Sequence, residues 1–342
     1  MGADNRRRAQ ELSAAMIPPA MRSEVSVVVP SHERPLRLLW LLNALEEQTI
    51  PPDRWELIVV HDSRSEDTVS LLREHPLAKR VSLRERRLPP GSGPAPRQRN
   101  VGWRMASGPC VAFTDDDCRP EPDWLEALLA ASRANPGAIV QGATRADPFE
   151  ADVLAAPHHR TIVVDPPGPF GQTCNILYPR EVLEQMGGFD ELLASSGEDA
   201  DLLWRARAAG AAHVGARDAV VNHAVESFTA VGMARLSWKW RDLPAVVGRH
   251  EELRRRFPLG GRLWRARHGW LLLAIGGMAA MGRRPGAALL AAPYLRTLLD
   301  PVHPYPRSQL RRALELPGHA AVDAAELAAL AAGSVRHKSL FL

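Results

Sequence analysis

The chain has 342 residues, 45% of them hydrophobic and 24% charged, with a formal net charge of +4. That is enough for one large domain, or a domain plus an appendage, of ordinary globular composition. Three cysteines (Cys110, Cys118 and Cys174) show no CxxC spacing, which excludes a disulfide framework and suits a reducing compartment.

Residues 1–23 read as a flexible, arginine-rich lead without the apolar core of a secretory signal. Val25 to Val29 is a continuous β-branched run ending at Pro30, as in a strand buried in a parallel sheet. Leu36 to Glu47 has helical spacing, and Trp55 to Val60 is a second buried strand ending at His61-Asp62. A helix over Glu66 to His75, a strand over Val81 to Arg84 and a Pro/Gly-rich loop over Leu88 to Pro96 follow. Then come a helix over Arg97 to Ser107, a strand over Cys110 to Thr114, a helix over Leu125 to Asn135 and a strand over Ala138 to Gln141. The alternation predicts an α/β fold with a mostly parallel sheet flanked by helices. Beyond about residue 150 the pattern is irregular. Pro157 to Gly171 reads as a loop or lid, Glu181 to Met186 and Gly197 to Ala209 as helices, and Ala219 to His223 as a strand.

Ligands of such sheets bind at the carboxyl ends of the strands. The strand ends here carry Ser31-His32-Glu33, His61-Asp62 and Asp115-Asp116-Asp117. Three consecutive carboxylates repel one another and raise one another's pKa values unless a positive charge joins them. Oxygen ligands suit a hard divalent cation that keeps positions open for water and phosphates. A solvated acidic turn capping the next helix is the competing reading.

The ordered set of motifs resembles the family 2 glycosyltransferases over about residues 24 to 228. It comprises Val25-Ser-Val-Val-Val-Pro30 with Ser31-His-Glu-Arg34, Val59-Val-His-Asp62-Ser63, Arg99-Asn100-Val-Gly102 and Asp115 to Asp117 as a DXD motif. Gly187-Gly-Phe-Asp190 and Gly197-Glu-Asp-Ala-Asp-Leu202 complete it. His61 stands where the family often has a second acid, and His32-Glu33 where it often has an aromatic and an asparagine.

The resemblance implies a GT-A (Rossmann-like) domain over 24–228 that transfers a sugar from a nucleoside diphosphate, with inversion, onto a hydroxyl acceptor. It implies nucleotide-sugar contacts at Pro30, Ser31, Glu33, Asp62, Arg99, Asp115, Asp116 and Asn175, with Asp62 accepting the N–H of a uracil-type base. Asp117, with Asp115 and His223, would hold Mn2+ or Mg2+, the histidine favouring Mn2+. Asp199 would be the base that takes the acceptor proton, with Glu198 or Asp201 as alternatives; the same acids also suit a helix N-terminus. Trp103, Trp204, Trp238 and Trp240 are candidate sugar-stacking platforms or core residues.

Residues 229–342 read as a helical extension. The runs Gly269 to Gly282 and Gly286 to Leu299 are each short of the roughly 20 residues that span a bilayer. With Arg283-Arg284 between them, they suit either a core or a membrane interface. The expected partners are a nucleoside-diphosphate sugar, UDP above all, and a glycan or lipid-linked saccharide of the cell envelope. No nucleic-acid partner is expected, and the expected place is cytoplasmic, with peripheral contact to the membrane face. A nucleotidyltransferase, or a non-catalytic nucleotide- or RNA-binding protein, is the alternative; the first would want a glycine-rich phosphate loop where Ser31-His-Glu-Arg34 stands.

Overall fold

A computed structural model describes residues 23–299 and 309–342. All but the last residue of the expected N-terminal lead lie outside them. The chain forms two compact units. The first holds the described residues to Arg145 together with Val163–Phe189 and Ala206–His223; the second holds Ala146–Ile162, Asp190–Arg205 and Ala224–Leu342. The segments 146–162 and 190–205, expected within a 24–228 domain, therefore group with the C-terminal third.

The first unit is built on one eight-stranded sheet. Its strands are β1 (Val25–Ser31), β2 (Trp55–His61), β3 (Ser82–Arg87), β4 (Cys110–Phe113), β5 (Cys118–Pro120), β6 (Ile139–Ala146), β8 (Ile176–Pro179) and β9 (His213–His223). They lie in the order β3-β2-β1-β4-β8-β6-β9-β5. β1 is central to the parallel half, paired with β2 from Val25↔Trp55 to Ser31↔His61 and with β4 on its other side. All seven of its residues are buried, which is why it reads as an unbroken β-branched run. The helix Pro35–Glu46 buries Leu38, Leu41, Leu42 and Leu45, a stripe at helical spacing.

The parallel reading holds for β3-β2-β1-β4 and ends there. β8 runs antiparallel to β4 and to β6, and β5 antiparallel to β9, so the sheet is mixed. Strands β5 and β8 are three and four residues long and fall outside the helix–strand alternation, and neither was legible in the sequence. β9 is longer than expected because its first half, from His213, is partly exposed and polar.

Two sequence motifs of this unit interlock. A Cβ on Gly102 would lie 2.3 Å from Val28 Cγ1, so only glycine lets the helix Ala95–Met105 press this closely on β1. Two residues earlier, the Asn100 amide donates to Phe189 O and accepts from Phe189 N, both at 2.9 Å. Asn100 thus fixes the Gly187-Gly-Phe-Asp190 segment, where Gly188 has φ +83° and a Cβ would lie 2.3 Å from Asn100 Oδ1.

The second unit is mostly helical. It contains the start of the helix Glu198–Ala208, the helices Ala230–Ser237, Leu243–Arg249, Ala266–Ala280, Ala292–Leu299 and Gln309–His337, and a short antiparallel pair, β7 (His159–Arg160) with β10 (Glu226–Ser227). The alanine-rich helix expected over Val322 to Ala332 is part of Gln309–His337. Leu271, Ala274, Tyr294 and Leu327 form a core that ties three of these helices together.

Candidate active site

In the first unit the carboxyl ends of β1, β2 and β4 bring together the strand-end residues singled out above. Parallel register places Ser31 beside His61, so the residues that follow each strand emerge on one edge. Pro30 lies inside β1, buried, opposite Val60. Glu33 has φ 49°, an uncommon conformation for a non-glycine residue. Its carboxylate accepts from Arg64 N at 2.8 Å, which pins the loop after β1 to the loop after β2.

Asp62 is 2% exposed, and its carboxylate is held from three sides. Oδ1 faces His32 Nδ1 at 2.6 Å and accepts from Gln98 Nε2 at 3.2 Å, while Oδ2 accepts from Gly93 N at 3.2 Å. His32 thus has a definite job as a partner of Asp62. Gln98 was missed, although it sits one residue before Arg99 in the motif. His61 is fully buried and turns instead to Glu85, with Nε2 at 3.0 Å from Oε1.

The three aspartates have different partners. Asp115 accepts from Arg99 Nη2 at 2.8 Å. Asp116 accepts from Ser31 Oγ at 2.8 Å and from His32 N at 3.4 Å, so it braces the loop after β1. Burial, followed by the neighbouring charge of Asp117, pushes the Asp116 carboxyl up to about 7, against the pull of Arg34 and Ser31. Asp117 accepts from Arg34 Nη1 at 2.7 Å. Arg34 lies in the quoted motif but was not singled out as a site residue; only the fold sets it against a carboxylate 83 residues away.

His223 reaches Asp117 through strand pairing. β5 and β9 are antiparallel with Cys118 opposite His223, which sets His223 Nε2 3.7 Å from Asp117 Oδ1. Asp117, Cys118 and His223 offer ligand atoms within 4.8 Å of one another. Burial raises the Cys118 thiol well above its usual range, so it stays neutral and is a poor ligand. Asp117 and His223 form the donor pair, one oxygen and one nitrogen. Three carboxylates stand here against the guanidinium groups of Arg34 and Arg99, and this set fits a divalent cation.

Asn175 is deep in the sheet. Its amide nitrogen donates to Ala143 O and Ala219 O, both at 2.8 Å, and its oxygen accepts from Trp124 Nε1 at 2.8 Å. With both N–H groups taken and 1% exposure, its observed work is to brace three segments of the first unit. Trp103 and Trp204 are core residues; among the four candidate platforms Trp238 is well exposed, at 48%.

In the second unit, Glu198 and Asp199 open the helix Glu198–Ala208 after Gly197, whose φ is +90°. Both are partly exposed. A Cβ on Gly197 would lie 2.7 Å from Val246 Cγ2, so the turn needs glycine twice over. Asp201, by contrast, is 1% exposed. It accepts from Arg205 Nε at 2.7 Å and from Arg249 Nη1 at 3.3 Å, and faces His250 Nε2 at 3.0 Å. Burial alone would raise its carboxyl, but the hydrogen bonds from His250 and Arg205 outweigh that and hold it at about 2. Arg249 also donates to Asp190 Oδ2 at 2.7 Å, so one guanidinium clamps both ends of the 190–201 segment. Asp201 is a structural acid, which removes it as an alternative base.

Residues 26–187 match the model of glycosyl transferase family 2. Among curated proteins, the chain is similar to glycosyltransferase AglE of Haloferax volcanii, 27% identical over 202 residues, covering 55% of this chain and 62% of that protein. It is also similar to O-antigen biosynthesis protein RfbC of Myxococcus xanthus, 31% identical over 217 residues, 55% of this chain and 16% of that protein. The matches thus span less than two thirds of either relative. Among solved structures, TarS of S. aureus in complex with UDP superposes with a TM-score of 0.52 at 16% identity, over 92% of both chains. A mannosyltransferase of Pyrobaculum calidifontis in complex with GDP-Man and Mn2+ superposes with a TM-score of 0.54 at 19% identity, over 98% of this chain and 95% of that one. Fold, motif order and family match agree: residues 26–187 carry a glycosyl transferase family 2 domain, set in a chain with a GT-A fold.

Proposed function

We propose that the enzyme is a metal-dependent, inverting transferase that moves a sugar from a nucleoside diphosphate to a hydroxyl of a cell-envelope glycan or lipid-linked saccharide. The observation that carries the reading is the register of β5 on β9, which unites Asp117 with His223 beside Asp115, Arg34 and Arg99. Asp117 and His223 would hold the ion, Mn2+ suiting the mixed donor pair, and a bound divalent cation stabilises the charge of a departing diphosphate as a Lewis acid.

Asp62 fits a uracil-type base. A carboxylate has about four lone-pair sites, and Oδ2 uses one on Gly93 N, so it can still accept a ring N–H. Asp115, fixed by Arg99, is the acid assigned to the ribose. Asp199 takes the acceptor's proton as the acceptor oxygen bonds to the anomeric carbon and the bond from that carbon to the diphosphate oxygen breaks. One displacement inverts the centre and needs no covalent intermediate. Glu198 is the neighbouring alternative for the base. The donors named in the similar structures, UDP in one and GDP-Man with Mn2+ in the other, are in keeping with this chemistry.

A lipid-linked acceptor would be met at a membrane surface. No helix among the described residues is long and apolar enough to cross a membrane. The helix Ala266–Ala280 is apolar on all sides, yet only Leu271, Ala274, Gly277 and His268 are covered. Trp270, Ile275, Met278 and, farther on, Leu289 are exposed, at 43, 52, 54 and 75%. From Leu253 to Leu299 the sequence has no acidic residue, and Arg283 and Arg284 stand between the apolar runs. That combination suits peripheral contact with an anionic membrane face.

The test is thermal stabilisation and turnover with UDP-, GDP- and dTDP-sugars, each with Mn2+ or Mg2+. One donor class together with metal is expected to stabilise the wild type and not Asp117→Ala. Undiminished transfer in excess EDTA refutes the metal requirement. Full turnover by Asp199→Asn refutes the base.

A further inference from the structure

The second unit holds a polar pocket that includes none of the residues assigned above to transfer. It lies where the end of the helix Gln309–His337 and the tail after it meet the helix Leu243–Arg249, and its volume is about 590 Å³. Gly248, Arg249, Arg254, His337, Lys338 and Ser339 line it, and no carboxylate does.

Its polar atoms are under-used. Ser339 Oγ and His337 Nε2 are buried, and neither has a hydrogen-bond partner among the described residues. The nearest acid to His337, Asp242, is 3.8 Å away, beyond hydrogen-bond reach. Buried polar groups left unpaired are few in folded proteins, and each calls for an explanation such as a bound water or ion. Arg254 spends its guanidinium on two neutral carbonyls, Gly261 O at 3.2 Å and Leu340 O at 2.9 Å, and among the described residues no carboxylate pairs with it. Lys338 is exposed and carries φ 50°, held in a conformation that costs energy for a side-chain-bearing residue. Gly248 keeps the pocket open: a Cβ there would lie 2.7 Å from Ser339 Oγ.

We propose that this pocket binds a phosphate-class oxyanion, with Arg254 and Lys338 supplying charge and Ser339 Oγ and His337 Nε2 supplying hydrogen bonds. Guanidinium and ammonium groups with a hydroxyl are the donor set such an anion takes, and charge-assisted bonds are the strong ones. A carboxylate ligand would satisfy fewer donors, since three phosphate oxygens can each accept from a different wall. The site is tied to the proposed base segment, because Arg249 also grips Asp190 and Asp201. The phosphate could arrive free in solution or as the headgroup of a lipid.

Inorganic phosphate and pyrophosphate are titrated calorimetrically into the full chain held at saturating UDP, which keeps any nucleotide site filled. The same titrations are run on Lys338→Gln, Ser339→Ala and the double variant. Phosphatidic acid in phosphatidylcholine vesicles is the lipid arm, scored as the difference between wild type and double variant. Saturable binding is expected, weakened about tenfold by Lys338→Gln, as the loss of one charge-assisted bond implies, and more by the double variant. Binding of the free anions assigns a soluble ligand; binding of the vesicles alone assigns a headgroup. Gly248→Ala, which crowds Ser339, weakens binding without removing any donor. UDP is titrated separately into wild type and variants without phosphate, and its affinity does not change, so a failure of the nucleotide reading is seen separately. No saturable binding in any arm, or equal binding by wild type and double variant, overturns the proposal.

Discussion

Replacing Asp201 with asparagine separates the structural acid from the proposed base two residues earlier. The carboxylate is buried among Arg205, Arg249 and His250 and sits at about 2, against an ordinary 3.8. A depression of nearly two pH units corresponds to about 2–3 kcal/mol of stability at neutral pH. Asparagine keeps the shape and one acceptor but forfeits the charge, so Asp201→Asn should lose about that much, or about 3–4 °C in Tm for a protein of this size. The sign follows from the depression. The contribution is complete above the unfolded value near 4 and is lost as pH falls toward 2. Thermal melts of wild type and variant at pH 7, 5, 4 and 3 should therefore show a constant gap down to about pH 5 that then narrows. Transfer by the folded variant should stay within an order of magnitude of wild type, whereas Asp199→Asn loses it. Equal stabilities at pH 7, a gap that widens on acidification, or loss of turnover in folded Asp201→Asn equal to that of Asp199→Asn would refute the division of labour.

Asp117→Ala and His223→Ala should both weaken Mn2+-dependent donor binding, the aspartate more, as read by thermal shift against metal concentration. Gly102→Ala drives a methyl to 2.3 Å from Val28 Cγ1 and should cost about 1–3 kcal/mol in urea denaturation, with no change in the chemical step of the folded enzyme. Trp270→Glu with Ile275→Glu should reduce co-sedimentation with anionic vesicles several-fold while leaving transfer to a soluble acceptor unchanged; undiminished co-sedimentation rules out contact through this face.

The parallel half of the sheet and the motif order were legible because each buried parallel strand is a run of apolar residues and each ends in polar ones. Val25 to Val29 and Trp55 to Val60 needed nothing beyond that. β5 and β8 were not legible, since both are short and neither falls in the helix–strand alternation that marked the equally short β4. The apolar runs after Gly269 suited either a core or a membrane interface, because hydrophobicity does not say what covers a face; packing leaves Ile275 and Met278 exposed.

The sequence by itself determined the fold class, the strand-end acids and their order, since these depend on local composition and spacing. Tertiary structure decided which partners each acid has. Register across β5 and β9 sets Asp117 beside His223, burial turns Asp116 into a brace for Ser31, and two arginines with His250 occupy the Asp201 carboxylate. Those outcomes depend on distances between residues far apart in the chain, and a carboxylate's role is set by the charges and burial around it.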